Sequence, residues 1–250
     1  MQKNYTVVHE INSSEKHGLV CILDALGVKQ ITEEEKLTEF VKNWFNLLSL
    51  SRWTISHEDN NMIKFYNFSD TIAITTEGDD VLKQIDILSF HLGLIFSEGL
   101  KKRIFLRGAI SEGDYCEKEL VTKEESGEKP IGIDDFNKFF LVGSAWFDAS
   151  TWFGETDWIG INTTPTLGSK LNSFDRPPKN FIKYRIPKKD GFIDDCWALN
   201  WPQMFLDSNG IDYKTPQDIK NMILEKRTIE ERNCKKHLNT MKFFDFVFSD

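Results

Sequence analysis

Long apolar runs are missing from this 250-residue chain: no segment approaches a membrane span, and the opening "MQKNYTVVHEINSSEK" has no signal-peptide core. The four cysteines (Cys21, Cys116, Cys196, Cys234) are scattered without CxxC spacing, so reduced, partly buried thiols are expected. His9, His17, His57, His91 and His237 show no metal-ligand spacing. There is no Gly-rich Walker sequence, which argues against a P-loop enzyme. Positive charge is also short: 31 Lys and Arg stand against 39 Asp and Glu, for a net charge of -8. That balance argues against a general nucleic-acid binder. It leaves a single nucleotide open, since a bound divalent cation supplies positive charge locally. No linker and no internal repeat interrupts the chain. One domain over residues 1–250 is expected, in a soluble cytoplasmic protein that binds neither nucleic acid nor membrane.

What is present is an alternation of strand and helix patterns. Residues 19–23 (Leu-Val-Cys-Ile-Leu) read as a strand. "ITEEEKLTEFVKNWFNLLSLSR" reads as a helix with Thr32 as N-cap and Glu35 completing a capping box. Leu37, Phe40, Val41, Trp44, Phe45 and Leu48 form its expected buried face. Met62–Phe68 and Thr71–Thr76 read as two strands joined by a tight turn at Ser69–Asp70. A second helix begins at "DDVL" and ends near Gly99. "RIFLRGAISEGDYC" is a strand continuing through a bend into "EKELVT", and "KEESGEKPIGIDDFN" is an exposed loop. "KFFLVGSAWFDASTWFGETD" reads as a short strand, a glycine and a third helix. Beyond residue 157 the signals weaken: "WIGINTTP", "FIKYRIP" and "CWALNWP" are candidate strands. A single closing helix is expected from "TPQDIKNM" onward, with Thr215 as cap, Pro216 at its first position, and Ile219, Met222, Ile223, Leu238 and Met241 on its apolar side. The alternation suits a sheet with helices packed on one face.

Two acids stand out in this frame. Asp24 ends the first apolar strand in "CILDALGVK", and Asp70 lies between two strands in "MIKFYNFSDTIAIT". A carboxylate at the end of a core strand is costly to desolvate without a partner. If the first strand lies beside the hairpin, Asp24 and Asp70 converge on one edge of the sheet, where Mg²⁺ or Mn²⁺ takes such oxygen ligands. The turn Ala25-Leu26-Gly27-Val28 would then offer backbone N–H groups to phosphates. The plainer alternative is a strand-end acid and a turn aspartate, both ordinary placements.

From Leu19 to about Trp158 the chain resembles the catalytic domain of the class III adenylate/guanylate cyclase superfamily. "LDALGVK" is similar to the first metal-binding segment and "YNFSDTIAI" to the hairpin ending in Gly-Asp, with Ser69 in place of the glycine. "LRGAISEG" matches the next strand. "FFLVGSAWFDAS" is similar to the dimer-interface segment, through Gly143 and Ala149. "GVKQ", "FSDTI", "RGAI" and "ALNW" also resemble the compact bacterial pyrimidine cyclases of Pycsar antiphage systems.

The resemblance implies an α+β, ferredoxin-like cyclase fold, mostly antiparallel, with helices on one face. Its core would be residues 18–160, followed by family-specific strands and a C-terminal helical extension. It implies a homodimer that cyclises a nucleoside triphosphate, with Mg²⁺ or Mn²⁺ as two ions per site. Asp24 and Asp70 would be the catalytic metal ligands, with Ala25 beside them, and Leu26 and Gly27 would lie against the substrate. The base-reading positions are Tyr66 and Phe140, where purine cyclases carry charged residues. A phenol and a phenyl ring suit a smaller base, so UTP is expected ahead of CTP. The product would be a messenger read by a downstream effector protein. Arg107 would contact base or triphosphate, or pair with an acid. The Asn and Arg that purine cyclases carry after the interface glycine are absent: Phe147 and Thr151 hold those positions. A purine cyclase and a catalytically silent nucleotide-binding or dimerising module are the alternatives.

Overall fold

A computed structural model describes residues 9–10, 14–28, 36–53, 62–119, 121–122, 139–209, 212–213, 215–225 and 234–249. Along the chain come β1 (His9–Glu10), β2 (Ser14–Leu26), α1 (Leu37–Trp53), β3 (Ile63–Phe68), β4 (Thr71–Glu77) and α2 (Val81–Lys101). Next are β5 (Phe105–Glu119), β6 (Val121–Thr122), β7 (Phe139–Gly143), α3 (Ser144–Glu155), β8 (Gly160–Thr163) and α4 (Pro165–Leu171). The last part holds β9 (Phe181–Lys183), β10 (Ile186–Lys188), β11 (Gly191–Ile193), β12 (Trp197–Leu199), α5 (Trp201–Asn209), α6 (Pro216–Glu225) and α7 (Lys235–Val247).

The spine is the long antiparallel pair β2 and β5, in register from Ser14 opposite Glu117 to Leu26 opposite Phe105. The main sheet has the order β3-β4-β2-β5-β8-β12-β9, and β7 joins the far half of β5. Only β5 and β8 run parallel in it; every other pairing is antiparallel. The chain is therefore an α+β protein with a mainly antiparallel sheet, as expected.

β2 is apolar at successive positions because both of its faces are covered. Leu19, Cys21, Leu23 and Ala25 enter the larger core with Ile72 and Ile74 of β4 and Ile85, Leu88, Leu92 and Phe96 of α2. Val20 and Ile22 enter a smaller core with Tyr66, Ala73, Tyr115, Leu141 and two alanines of α3, Ala145 and Ala149. The helices thus occupy both faces, not one: α1 and α2 lie on one side and α3 on the other. Gly143, just ahead of α3, is held to glycine. Its φ is 149°, and a Cβ there would come within 2.3 Å of the Asp114 carbonyl oxygen.

Other sequence expectations need adjustment. Phe40 and Trp44 of α1 are buried as expected, together with Leu47, but Leu37, Val41 and Phe45 are exposed. Among the described side chains of α1 the covered side is one narrow stripe; that of Leu48, also expected on the buried face, lies outside them. The Thr32–Glu35 cap and the 123–137 loop lie outside the described residues. "FIKYRIP" is two short strands, β9 and β10, in different sheets. The closing segment is two helices, α6 and α7. Thr215 does cap α6, its Oγ1 accepting from the Asp218 N–H at 3.2 Å, and Ile219, Met222 and Ile223 are buried, but Leu238 is exposed.

Residues beyond 160 complete the larger core around Trp158. Trp158, Trp201, Phe205, Phe243 and Phe244 are all essentially without solvent contact. Phe96 of α2 stacks on Trp201 at 5.0 Å, and Trp158 meets Phe243 edge to face at 5.0 Å. Each such side chain contributes roughly 2–3 kcal/mol of burial, so this extension is part of the fold's stability.

Candidate active site

The antiparallel register sets Asp24 opposite Thr71 of β4 on one side and Arg107 of β5 on the other. All three share the face covered by α3, because cross-strand partners project together. Arg107 donates from Nε and Nη2 to Asp24 Oδ2, each at 3.2 Å. Thr71 Oγ1 donates to Oδ1 at 3.4 Å. Asp70 stands immediately before Thr71, and its carbonyl accepts from the Ala25 N–H at 3.0 Å. That bond ties the hairpin tip to the residue after Asp24. The carboxylate of Asp70 has no hydrogen-bond or ion-pair partner among the described residues. Ser69 reaches this tip at φ 62°, the left-handed conformation that glycine adopts most easily.

α3 overhangs this row from end to end. Trp146 packs against Phe68 at 5.8 Å, and the Arg107 guanidinium lies 5.2 Å from the Phe153 ring centre. Asp148 accepts from Ser111 Oγ at 2.6 Å and from Trp152 Nε1 at 3.1 Å, which fixes the helix on the sheet. On the open side, Leu26 packs against the larger core. Gly27 turns the chain at φ 83°, with empty space where a side chain would stand. Its backbone is exposed just past the end of β2, which runs on through Ala25 to Leu26, so that Asp24 is not the last residue of its strand as the sequence suggested.

The same face carries a second charged group farther along. Tyr66 lies in the row next to Asp24, at the level of Ile22 and Ala73. It is 6% exposed, and its hydroxyl donates to Glu117. Glu117 also receives Lys64 and, at 2.5 Å, Lys16, which bonds Glu77 at 2.6 Å as well. Burial alone would raise the Glu117 carboxyl; the bonds from Lys16, Lys64 and Tyr66 overcome it and hold it at about 2. Burial first, and then Glu117, push the Tyr66 phenol above its ordinary value.

The structure therefore brings Asp24, Ala25, Asp70 and Arg107 together at one edge, with Leu26 and Gly27 adjoining. Tyr66 is one row away. The backbone of Phe140 pairs with Lys118, next to the Glu117–Leu141 pair, so β7 is brought to the Tyr66 group through Glu117. Phe147 is exposed on α3, and Thr151 Oγ1 donates to the Phe147 carbonyl at 2.8 Å. Arg107 is an ion-pair partner of Asp24, one of the two roles open to it in sequence. Glu117 and Lys16 went unnoticed there, since nothing in "GDYCEKE" or "NSSEKHG" marks them; only the pairing of β2 with β5 does.

Oxygen donors are what a hard divalent cation takes, and the two carboxylates with the open Asp70 fit one. Among the described residues no group of three or more His, Cys, Asp or Glu side chains is placed to hold a metal ion. Water and substrate phosphates would have to complete the shell. No helix among the described residues is long and apolar enough to cross a membrane.

No protein-family model matches the chain, and no curated protein matches it. Solved structures similar to it include three cyclases. A bacterial light-regulated adenylyl cyclase is 14% identical, with a TM-score of 0.48 over 86% of this chain and 100% of that one. The adenylyl cyclase CyaB from P. aeruginosa is 14% identical, with a TM-score of 0.43 over 75% of this chain and 95% of that one. The guanylyl cyclase Cya2 is 14% identical, with a TM-score of 0.47 over 75% of this chain and 93% of that one. All three TM-scores lie below 0.5.

Proposed function

We propose that this chain is a class III-type nucleotidyl cyclase that converts a pyrimidine nucleoside triphosphate, UTP ahead of CTP, to its 3′,5′-cyclic monophosphate. The observation that carries this reading is the hairpin register, which sets the unpartnered Asp70 beside Asp24 at the end of β2. In the reaction the ribose 3′-oxygen forms a bond to the α-phosphorus, the bond from that phosphorus to the bridging oxygen breaks, and pyrophosphate leaves. The hydroxyl proton goes to solvent.

Asp24 and Asp70 would hold two Mg²⁺ or Mn²⁺ ions, with the Ala25 backbone alongside. When bound, such ions lower the pKa of the 3′-hydroxyl and offset charge on the α-phosphate. Arg107 supplies fixed positive charge on the same face, where it pairs with Asp24. The Gly27 turn leaves backbone open to phosphates. Tyr66 supports the pyrimidine preference: purine reading in this superfamily uses a charged residue there, and here a phenol is locked in place by Glu117.

The exposed Phe147 and half-buried Trp146 of α3 suit the homodimer that the resemblance implies, with two sites per pair. The cyclic product would act as a second messenger in the cytoplasm, in a Pycsar-type antiphage role, read by an effector protein. A test is incubation of the purified protein with each of the four ribonucleoside triphosphates and Mn²⁺, with products identified by mass spectrometry. Cyclic UMP or CMP absent from Asp24→Ala and Asp70→Ala supports the reading. A cyclic purine product would reject the pyrimidine assignment. Absence of both product and metal–nucleotide binding would leave a silent module.

A further inference from the structure

Asp24 and Asp70 are neighbours across the hairpin tip, yet they are not equally open. Asp24 Oδ2 receives two N–H groups of one guanidinium, from Nε and Nη2 of Arg107, each at 3.2 Å, and Oδ1 receives the Thr71 hydroxyl. The side chains of Arg107 and Asp24 are only 17% and 18% exposed, so the pair is not the solvent-screened kind that contributes little. The Asp70 carboxylate has no side-chain partner among the described residues.

Arg107 is positioned by more than its ion pair. The β2–β5 register sets it directly across from Asp24. The next residue, Gly108, lies so close to β2 that a Cβ there would come within 2.5 Å of the Ile22 carbonyl oxygen, which fixes the backbone at this point. The guanidinium also lies 5.2 Å from the Phe153 ring centre, beneath α3. It is thus held on two sides, by a carboxylate and by an aromatic ring, and the ring contact keeps it on this face when the carboxylate is given up. A guanidinium and a divalent cation compete for one carboxylate, because both are drawn to the same charge and repel each other.

We propose that Arg107 guards Asp24 as an internal counter-ion: it holds the carboxylate against divalent cations until a triphosphate draws the guanidinium to its own oxygens, so that metal loading at Asp24 depends on the nucleotide. The identity of the incoming anion rests on the cyclase reading above; the competition for Asp24 rests on the register and the two hydrogen bonds. Arg107 acts here as a positioning residue, through Asp24.

The test is Mn²⁺ titration of the whole chain without nucleotide, with free Mn²⁺ read by electron paramagnetic resonance. Arg107→Gln is expected to bind Mn²⁺ about tenfold more tightly than wild type, while Arg107→Lys, which keeps the charge, stays within about threefold. Adding Asp24→Asn to Arg107→Gln should abolish the gain. An Arg107→Gln affinity no tighter than wild type, or a gain that survives Asp24→Asn, overturns the proposal. A second measurement uses wild type alone: the Arg107 Nε–H signal in nuclear magnetic resonance, assigned by its loss in Arg107→Lys, should move with Mg²⁺ and a non-cyclisable UTP analogue but not with Mg²⁺ alone. A signal that moves equally with Mg²⁺ alone overturns the proposal even if Arg107→Gln does not fold. A tenfold gain with no cyclic product from any nucleotide keeps the guarded carboxylate and removes the cyclase reading. Cyclic product from wild type, with Mn²⁺ affinity unchanged in Arg107→Gln, keeps the cyclase reading and removes the guard.

Discussion

The α3-covered face of the sheet carries two acidic groups, and they are built to opposite specifications. At the Glu117 end, one carboxylate receives Lys16, Lys64 and the Tyr66 hydroxyl. At the Asp24 end, Asp24 receives one arginine and one weak hydroxyl contact, and its neighbour Asp70 has no side-chain partner among the described residues. Residue type does not separate the two groups; the number of donors does. A carboxylate whose lone pairs are filled by the protein's own cations is a structural rivet. One left with open lone pairs at the rim of a sheet is a place where an external cation binds.

The largest effect that would break this contrast lies in activity. Asp24→Asn and Asp70→Asn are each expected to lower cyclic-nucleotide formation by about a thousandfold, followed by product mass spectrometry. Asp70→Asn should leave stability within about 0.5 kcal/mol of wild type in denaturant titration, because no protein contact is lost.

At the other end the order reverses. Glu117→Gln is expected to destabilise the fold by about 2–3 kcal/mol, since Lys16 and Lys64 lose their shared counter-charge in a partly buried setting. The pH dependence follows from the same group. Its folded pKa of about 2 lies below the ordinary 4.5, so its stabilisation is complete above about pH 4.5 and fades as the pH falls towards 2. Thermal melts across that window should show a steeper loss for wild type than for Glu117→Gln.

Smaller effects sharpen the comparison. Tyr66→Phe removes one donor from Glu117 and should cost about 1 kcal/mol, while narrowing the margin of UTP over purine nucleotides in a competition assay. Ser69→Gly should shift stability by no more than about 0.5 kcal/mol, because relief at φ 62° is offset by the greater freedom of glycine in the unfolded chain. Chemical denaturation resolves a change of that size.

The Asp24 end was legible in sequence because it is local: an apolar run ending in an acid, and a hairpin whose tip holds another. The presence of β2, the β3–β4 hairpin and α2 followed from apolar runs, from the acidic opening at "DDVL" and from Gly99 near the helix end, but β2 runs from Ser14 to Leu26, well beyond the 19–23 run. The Glu117 group was not legible, because its members come from three strands spread over a hundred residues and meet only through register. On α1, the apolar pattern overstated burial. Periodicity shows which residues share a face; it does not show how much of that face the neighbouring helix covers.

The most direct test of the contrast is Mn²⁺ binding, followed by electron paramagnetic resonance in the presence of a non-cyclisable UTP analogue. The account predicts nucleotide-dependent Mn²⁺ binding in the wild type, its loss in Asp24→Asn and Asp70→Asn, and its retention in folded Glu117→Gln. Binding that survives both aspartate substitutions, or that disappears with Glu117→Gln while the protein remains folded, would contradict it.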